Sequence, residues 1–297
     1  MLSILIPTYN YDAHRLVHDM NALAVREQVE HEIIIGNDCS TSHTGWMDTC
    51  ATWPDVRIIQ PPHNLGRAAL RNLLANHARG EWLLFIDCDA QVEADFSLAA
   101  YLQAARQAPV VCGGLRTPAV NPNPDATLRF KYERAADRKR SAQTRMKHPY
   151  HAFSTFNFLV RKSLFTQLGG FDRDCKEYGY EDALFGVQLA QHDVALLHID
   201  NPLVHLGMDA NADYLEKTET ALRTLKGLHG RMNGCSNIEN WAVRVERLRL
   251  RPLVTAAFRR YRPYLRSNLL GRHPNLIVFQ LYKLGYFVTL EKIANLL

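Results

Sequence analysis

The sequence predicts an α/β fold: a sheet, largely parallel in its first half, with helices on both faces, followed by a helical C-terminal extension. Three observations carry this expectation. Short apolar runs alternate with stretches of helical spacing through residues 2–86, the pattern of strand–helix–strand units. One apolar run, Trp82-Leu83-Leu84-Phe85-Ile86, ends in Asp87-Cys88-Asp89, two carboxylates one residue apart. From about Tyr214 the spacing is helical throughout, and residues 231–297 hold 12 Lys+Arg against 3 Asp+Glu.

The elements follow in order. Residues 2–7 read as a buried strand, 8–12 as a loop, 13–28 as a helix, and 31–37 as a strand centred on Ile33-Ile34-Ile35. Residues 44–52 read as helical, 56–60 as a strand stopped by Pro61-Pro62, 65–78 as a helix ended by Gly80, and 81–86 as the fourth strand. Right-handed crossovers then bring Thr8–Asn10, Asp38 and Asp87–Asp89 to one edge of the sheet. Further on, 96–107 reads as a helix, 110–115 as a strand, 128–147 as one basic helical stretch, 153–160 as a strand, 181–191 as a helix and 194–199 as a strand.

Length and composition fit an ordinary globular chain: 297 residues, 47% apolar and 22% charged, enough for a substantial core. A strand pattern begins right after Met1, so no secretory signal is expected. No apolar stretch approaches the ~20 residues of a membrane span. Six scattered cysteines without a C-x-x-C pair fit reduced thiols better than disulfides or a zinc site. The net charge of +5 is split: +9 in residues 231–297 (12 − 3) and −4 in the rest (23 − 27).

Several residues have two readings each. In an open α/β sheet ligands bind at the carboxyl ends of strands. Asp87 and Asp89 there are either solvated loop acids or ligands of a hard divalent cation. Asp38 is either a helix N-cap or an acceptor for a base or ribose. Glu181-Asp182 either complements a helix dipole or supplies a general base with a partner that orients the site. His205, placed near the start of a loop, is either structural or a distant ligand beside the D-x-D pair. Arg67 and Arg71, one turn apart on one helix face, are either solvated or contact a base or phosphate.

Taken together, the chain resembles the family 2 glycosyltransferases, inverting enzymes with the GT-A fold. The likeness runs in order from Ser3-Ile4-Leu5-Ile6-Pro7-Thr8-Tyr9-Asn10 through Ile34-Ile35-Gly36-Asn37-Asp38-Cys39-Ser40-Thr41 to Asn64-Leu65-Gly66-Arg67-Ala68-Ala69-Leu70-Arg71-Asn72. It continues with Gly80 to Asp89, then Leu168-Gly169-Gly170-Phe171-Asp172, the Glu181-Asp182 pair, and Val204-His205. The resemblance implies a Rossmann-like half with a mixed central sheet. It implies that Pro7, Thr8, Tyr9, Asn10 and Asp38 line the nucleoside site with Arg67 and Arg71, and that Asp87 touches the ribose. It implies that Asp89 and His205 serve Mn2+ or Mg2+ on the diphosphate, and that Asp182 is the base beside Glu181. The chain departs from the pattern at Cys39, where Gly is common, at Ala183-Leu184-Phe185, which lacks a further acid, and at Gln188, where Arg is frequent.

The implied organisation is a catalytic domain over 1–212, with a nucleotide-sugar half (1–115) and an acceptor half (116–212), and a basic helical extension over 213–297. The implied reaction moves a sugar from a nucleotide-diphosphate donor, a UDP-sugar foremost, to a hydroxyl of a glycan or lipid-linked acceptor. The alternatives are a non-catalytic nucleotide-sugar-binding or scaffold subunit, and a sugar nucleotidyltransferase. Against the latter, the Gly-rich phosphate loop it needs after the first strand is replaced by Pro7-Thr8-Tyr9-Asn10. Arg138, Lys139, Arg140, Arg145 and Lys147 are expected to meet a phosphate of donor or acceptor. Arg244, Arg247 and Arg251 are expected on one helix face of an extension lying on an anionic membrane surface. That places the chain in the cytoplasm, peripheral on the inner face of the membrane. A homodimer contact is the other use for these helices, and no nucleic-acid module is recognised.

Overall fold

The computed structural model describes residues 1–172, 179–228, 231 and 236–290. Cys175 and Cys235 and the end of the basic segment, residues 291–297, lie outside the described residues. Along the chain run β1 (Leu2–Thr8), α1 (His14–Arg26), β2 (His31–Asn37), α2 (Gly45–Cys50), β3 (Val56–Ile59), α3 (Arg67–His77), β4 (Trp82–Ile86) and β5 (Ala90–Gln91). Then come α4 (Leu98–Ala104), β6 (Val110–Cys112), β7 (Leu115–Arg116), α5 (Thr127–Ala136), α6 (Ala142–Arg145), β8 (Asn157–Arg161) and α7 (Lys162–Gln167). The last are α8 (Glu181–Gln191), β9 (Leu196–His198), β10 (Leu203–His205), α9 (Asn211–Gly227), α10 (Asn237–Arg247), α11 (Arg251–Leu270) and α12 (Leu276–Thr289).

The described residues form two compact units: 1–118, 137–172 and 181–207 in the first, and 119–136, 179–180 and 208–290 in the second. In the first, a seven-stranded sheet runs β3-β2-β1-β4-β8-β6-β9. Strands β3, β2, β1 and β4 are parallel, and β8 is antiparallel to both β4 and β6, so the sheet is mixed. A small sheet, β5-β10-β7, sits beyond it.

The uniformly apolar strands have a simple cause. Successive side chains point to opposite faces, and helices cover both. Ile4, Ile6, Ile33, Ile35, Leu84 and Ile86 pack with Leu16, Val17 and Met20 of α1, Trp46 of α2 and Tyr101 of α4. Leu5, Ile34, Leu83 and Phe85 pack on the other side with Leu74 of α3, Phe165 of α7 and Phe185 of α8. Each such buried side chain contributes about 1.5–3 kcal/mol.

Four expectations from the sequence need correction. The strand over 110–115 is cut in two at Gly113-Gly114. Gly114 has φ +94°, and a side chain there would press on the Arg145 guanidinium. The basic helix over 128–147 is three pieces, because Ser141 starts a new turn by accepting from Thr144 N at 3.3 Å. The strand over 153–160 begins only at Asn157, the preceding residues forming turns. His205 lies in β10, paired with Ala90, and not in a loop.

The second unit is helical. Leu128, Leu215, Phe258, Leu269, Phe279 and Tyr282 form its core. Asn211 ties α5 to the α11 end, accepting from Leu128 N at 2.7 Å and donating to Gly271 O at 3.0 Å. Glu219 of α9 faces Arg262 at 3.2 Å and Arg266 at 3.6 Å, with the Tyr282 hydroxyl donating to it. Arg251 does not share a helix with Arg244 and Arg247. Arg249 takes a left-handed φ of 55°, which closes α10 before α11 starts. Among the described residues no helix is long and apolar enough to cross a membrane.

Candidate active site

The carboxyl ends of β1, β2 and β4 carry the residues singled out in the sequence. Asp38 follows β2 and is 4% exposed. Its two carboxylate oxygens accept from Leu65 N at 2.7 Å and Gly66 N at 2.9 Å, and its carbonyl accepts from Asn64 Nδ2 at 2.9 Å. Asp38 thus fixes the turn that launches α3, where Gly66 has φ 78°. Its carboxylate keeps further lone pairs after two bonds. Asn10, at φ 51°, spends its carboxamide oxygen on Thr41 N at 2.8 Å and Ser42 N at 3.1 Å, which joins the loops after β1 and β2. Pro7 lies within β1 opposite Gly36, and Thr8 is buried at its end, while Tyr9 is 53% exposed and offers its ring to solvent.

The launched helix then delivers two arginines. Arg71, 2% exposed, places Nη2 2.5 Å from Asp87 Oδ1 and Nη1 3.9 Å from Glu181 Oε1. Arg67 Nη1 reaches the same Glu181 oxygen at 3.8 Å. The two acidic pairs, 94 positions apart counting from Asp87 to Glu181 (181 − 87), therefore share one buried guanidinium. Packing holds them there. Asn72, next to Arg71, both donates to Phe171 O and accepts from Phe171 N, each at 2.8 Å. Phe171 packs on Phe185 of α8 with centroids 4.8 Å apart and edge-on to Phe85 of β4 at 5.9 Å. Such pairs add about 0.5–1.5 kcal/mol each beyond area burial, and they link the helix bearing Asp182 to the strand bearing Asp87.

Asp182 opens α8 and is only partly accessible. Burial and then the neighbouring Glu181 charge raise its pKa to about 6, opposed by the Ala183 amide and Arg71. A carboxylate in that range is suited to accept a proton near neutral pH. Glu181 itself is turned inward, 9% exposed, toward the two arginines.

Asp89 lies on the small sheet side. Its Oδ2 is 3.2 Å from His205 Nε2, because β5 and β10 pair Ala90 with His205 and Leu206 N donates to Asp89 O at 2.8 Å. Gly207 is required here, since a Cβ at that position would overlap Asp89 Oδ2. One carboxylate and one imidazole, side by side, fit a divalent cation that leaves the rest of its shell to phosphate oxygens and water. Among the described residues no three acidic, histidine or cysteine side chains cluster as a complete metal cage.

Two residues had no place in the sequence reading. Burial, followed by the charge of Asp89, pushes the Tyr11 hydroxyl up to about 12, which puts this phenol in the Asp89 neighbourhood. Its signal was the second aromatic in Thr8-Tyr9-Asn10-Tyr11. Gly207 was visible only as the end of the Val204-His205 segment. Cys88, between the two acids, is a protonated thiol, pushed up to about 12 by burial and the flanking acids and bonded by Thr8. In the basic stretch, Arg145 is buried among backbone carbonyls, and Arg140 is held by Asp137 Oδ1 at 2.6 Å and Thr117 at 2.8 Å. The expected phosphate contact fails for Arg145, whose guanidinium is taken up by backbone carbonyls. Arg138, Lys139 and Lys147 remain exposed.

The sequence profile described as "Glycosyl transferase family 2" matches residues 3–169, more than half of the chain. The chain belongs to this family. An uncharacterized glycosyltransferase of Haemophilus influenzae is 35% identical over 89 residues, 30% of this chain and 29% of that relative. The match thus spans under a third of the relative's length. Among solved structures, the mannosyltransferase PcManGT from Pyrobaculum calidifontis, in complex with GDP-Man and Mn2+, superposes with TM-score 0.50 at 18% identity, over 74% of this chain and 61% of that one. GalNAc-T7 with UDP, GalNAc and Mn2+ gives TM-score 0.54 at 15% identity, over 74% and 47%. Together with the mixed sheet these likenesses show the GT-A fold for this family 2 chain.

Proposed function

We propose that the chain is a metal-dependent glycosyltransferase. It moves a sugar, with inversion, from a nucleotide-diphosphate donor, foremost a UDP-sugar, to a hydroxyl of a glycan or lipid-linked acceptor. The observation that carries this reading is the Arg71 bridge, which gathers Asp87 and the Glu181-Asp182 pair into one basin at the carboxyl edge of the sheet. The family match supports the reaction class. The relatives bound to GDP-Man and to UDP with GalNAc support a nucleotide-sugar donor and Mn2+.

The roles follow from position. Tyr9 stacks on the base, and Asp38 shapes the nucleoside wall through the turn at Leu65-Gly66 and its remaining lone pairs. Asp87, oriented by Arg71, accepts from the ribose hydroxyls. Asp89 and His205 would hold Mn2+ or Mg2+, which would supply Lewis-acid neutralisation of the diphosphate leaving group. Asp182 takes the proton from the acceptor hydroxyl as it attacks the anomeric carbon from the side opposite the nucleotide. Glu181 stays bound between Arg67 and Arg71 and keeps Asp182 turned to the acceptor. A single displacement needs no enzyme nucleophile and inverts the anomeric centre.

A panel of UDP-, GDP- and dTDP-sugars, assayed for donor hydrolysis with Mn2+ and again in EDTA, tests this. Turnover of at least one donor that EDTA stops and Mn2+ restores is expected. Tight donor binding without turnover across the panel would instead identify a binding subunit. Release of pyrophosphate from a sugar phosphate and a nucleoside triphosphate would identify a nucleotidyltransferase.

A further inference from the structure

Helix α11 has an unusual outer face. Its inner side buries Phe258 and Leu269 in the helical core. The opposite side, at spacing i, i+4, i+7 and i+11 from Leu253, carries Ala257, Arg260 and Tyr264, with Tyr261 beside them. Leu253 and Tyr264 are each 66% exposed and Tyr261 56%. The helix contains five arginines and no acid. Three of them are drawn to acidic partners, Arg251 to Glu246 at 3.4 Å and Arg262 and Arg266 to Glu219. Arg259 and Arg260 are exposed, and Arg260 lies over the Tyr261 ring at 5.8 Å.

An outward row of leucine and tyrosine on a soluble helix calls for a partner. We infer that the outer face of α11 docks on an anionic lipid bilayer, with Leu253, Tyr261 and Tyr264 seated at headgroup depth and Arg259 and Arg260 on lipid phosphates. Charge complementarity selects this occupant. Residues 231–297 carry +9, and a basic face with amphipathic aromatics matches the negative surface and the interfacial layer of such a membrane. A second copy of the chain fits poorly. An isologous contact would set Arg259 and Arg260 against their own copies with no acid on the helix to offset them. The docking surface stands apart from the transfer reaction and involves none of its residues, so either reading survives failure of the other.

The test is co-sedimentation of the full chain with vesicles. Sedimentation with phosphatidylcholine–phosphatidylglycerol vesicles at low salt, with release at high salt and little binding to phosphatidylcholine alone, is expected. Arg259→Glu with Arg260→Glu is expected to weaken binding at least ~25-fold, from about fivefold for each arginine removed. Leu253→Ser with Tyr264→Ser is expected to weaken it about tenfold or more. These positions are exposed, so the thermal unfolding midpoint of each variant stays at that of the parent. The inference is overturned if the parent stays in the supernatant with anionic vesicles at low salt. It is overturned equally if both double variants bind like the parent, or if the face drives dimerisation that Leu253→Ser with Tyr264→Ser abolishes while vesicle binding is absent.

Discussion

Arg71 and Arg145 are both buried, at 2% and 8% exposure, and they are used in opposite ways. Around Arg145 every direction is filled. Its guanidinium donates to the carbonyls of Arg140 at 2.9 Å, Cys112 at 3.1 Å, Gly113 at 3.1 Å and Ile199 at 2.7 Å, and meets His198 Nδ1 at 2.6 Å. Burial and this cation hold the imidazole down to about 4, so His198 is neutral. Around Arg71 the partners are carboxylates, one at hydrogen-bond distance and one at 3.9 Å, and among the described residues its Nε has no hydrogen-bond partner. A guanidinium paired with backbone carbonyls closes a structure. One shared between acids at the edge of a sheet leaves charge for a ligand to complete.

This contrast can be broken by mutation. The largest effect is expected on the acidic side: Asp89→Ala removes half of the proposed two-residue donor set, and transfer is expected to fall about 10³-fold. Calorimetry is expected to show the nucleoside still bound while the metal-dependent gain from the diphosphate disappears. On the structural side, Arg145→Met leaves buried carbonyls without donors and costs about 3–5 kcal/mol of stability, read as a lower urea midpoint at unchanged slope. The turnover of the remaining folded molecules is expected to match the parent.

Arg71→Met sharpens the comparison by a smaller amount. Arg71 lowers the Asp182 pKa, so its removal raises it. With Asp182 as the proposed base, activity is expected to fall as pH drops through about 6 in the parent, where the carboxylate takes up a proton. In Arg71→Met the acidic limb of the pH–rate profile is expected to move up by about one unit. An unmoved limb would mean that Arg71 serves packing alone, as Arg145 does.

Most of the sheet was legible in the sequence because β1, β2 and β4 carry apolar runs bounded by turn residues. β2 and α8 fall at the residues expected. The candidate site was legible as residue types but not as pairings. That one arginine bridges Asp87 and Glu181 depends on the Asn72–Phe171 clasp, a contact across 99 positions that no local spacing records. The basic stretch after α5 misled for a related reason. Arg145 looks like a surface charge until the break at Gly113-Gly114 leaves the carbonyls of Cys112 and Gly113 to accept from it. His205 looked like a loop residue because a three-residue strand has too little pattern to be read.

The central claim is that Asp182 is the base of the basin that Arg71 assembles. The direct measurement is single-turnover transfer by Asp182→Asn beside calorimetric donor binding by the same protein. The carboxamide keeps the shape and cannot take the proton. Transfer is expected to fall ~10²–10⁴-fold with donor affinity retained. Transfer at the parent rate, or loss of donor binding in step with transfer, would contradict the account.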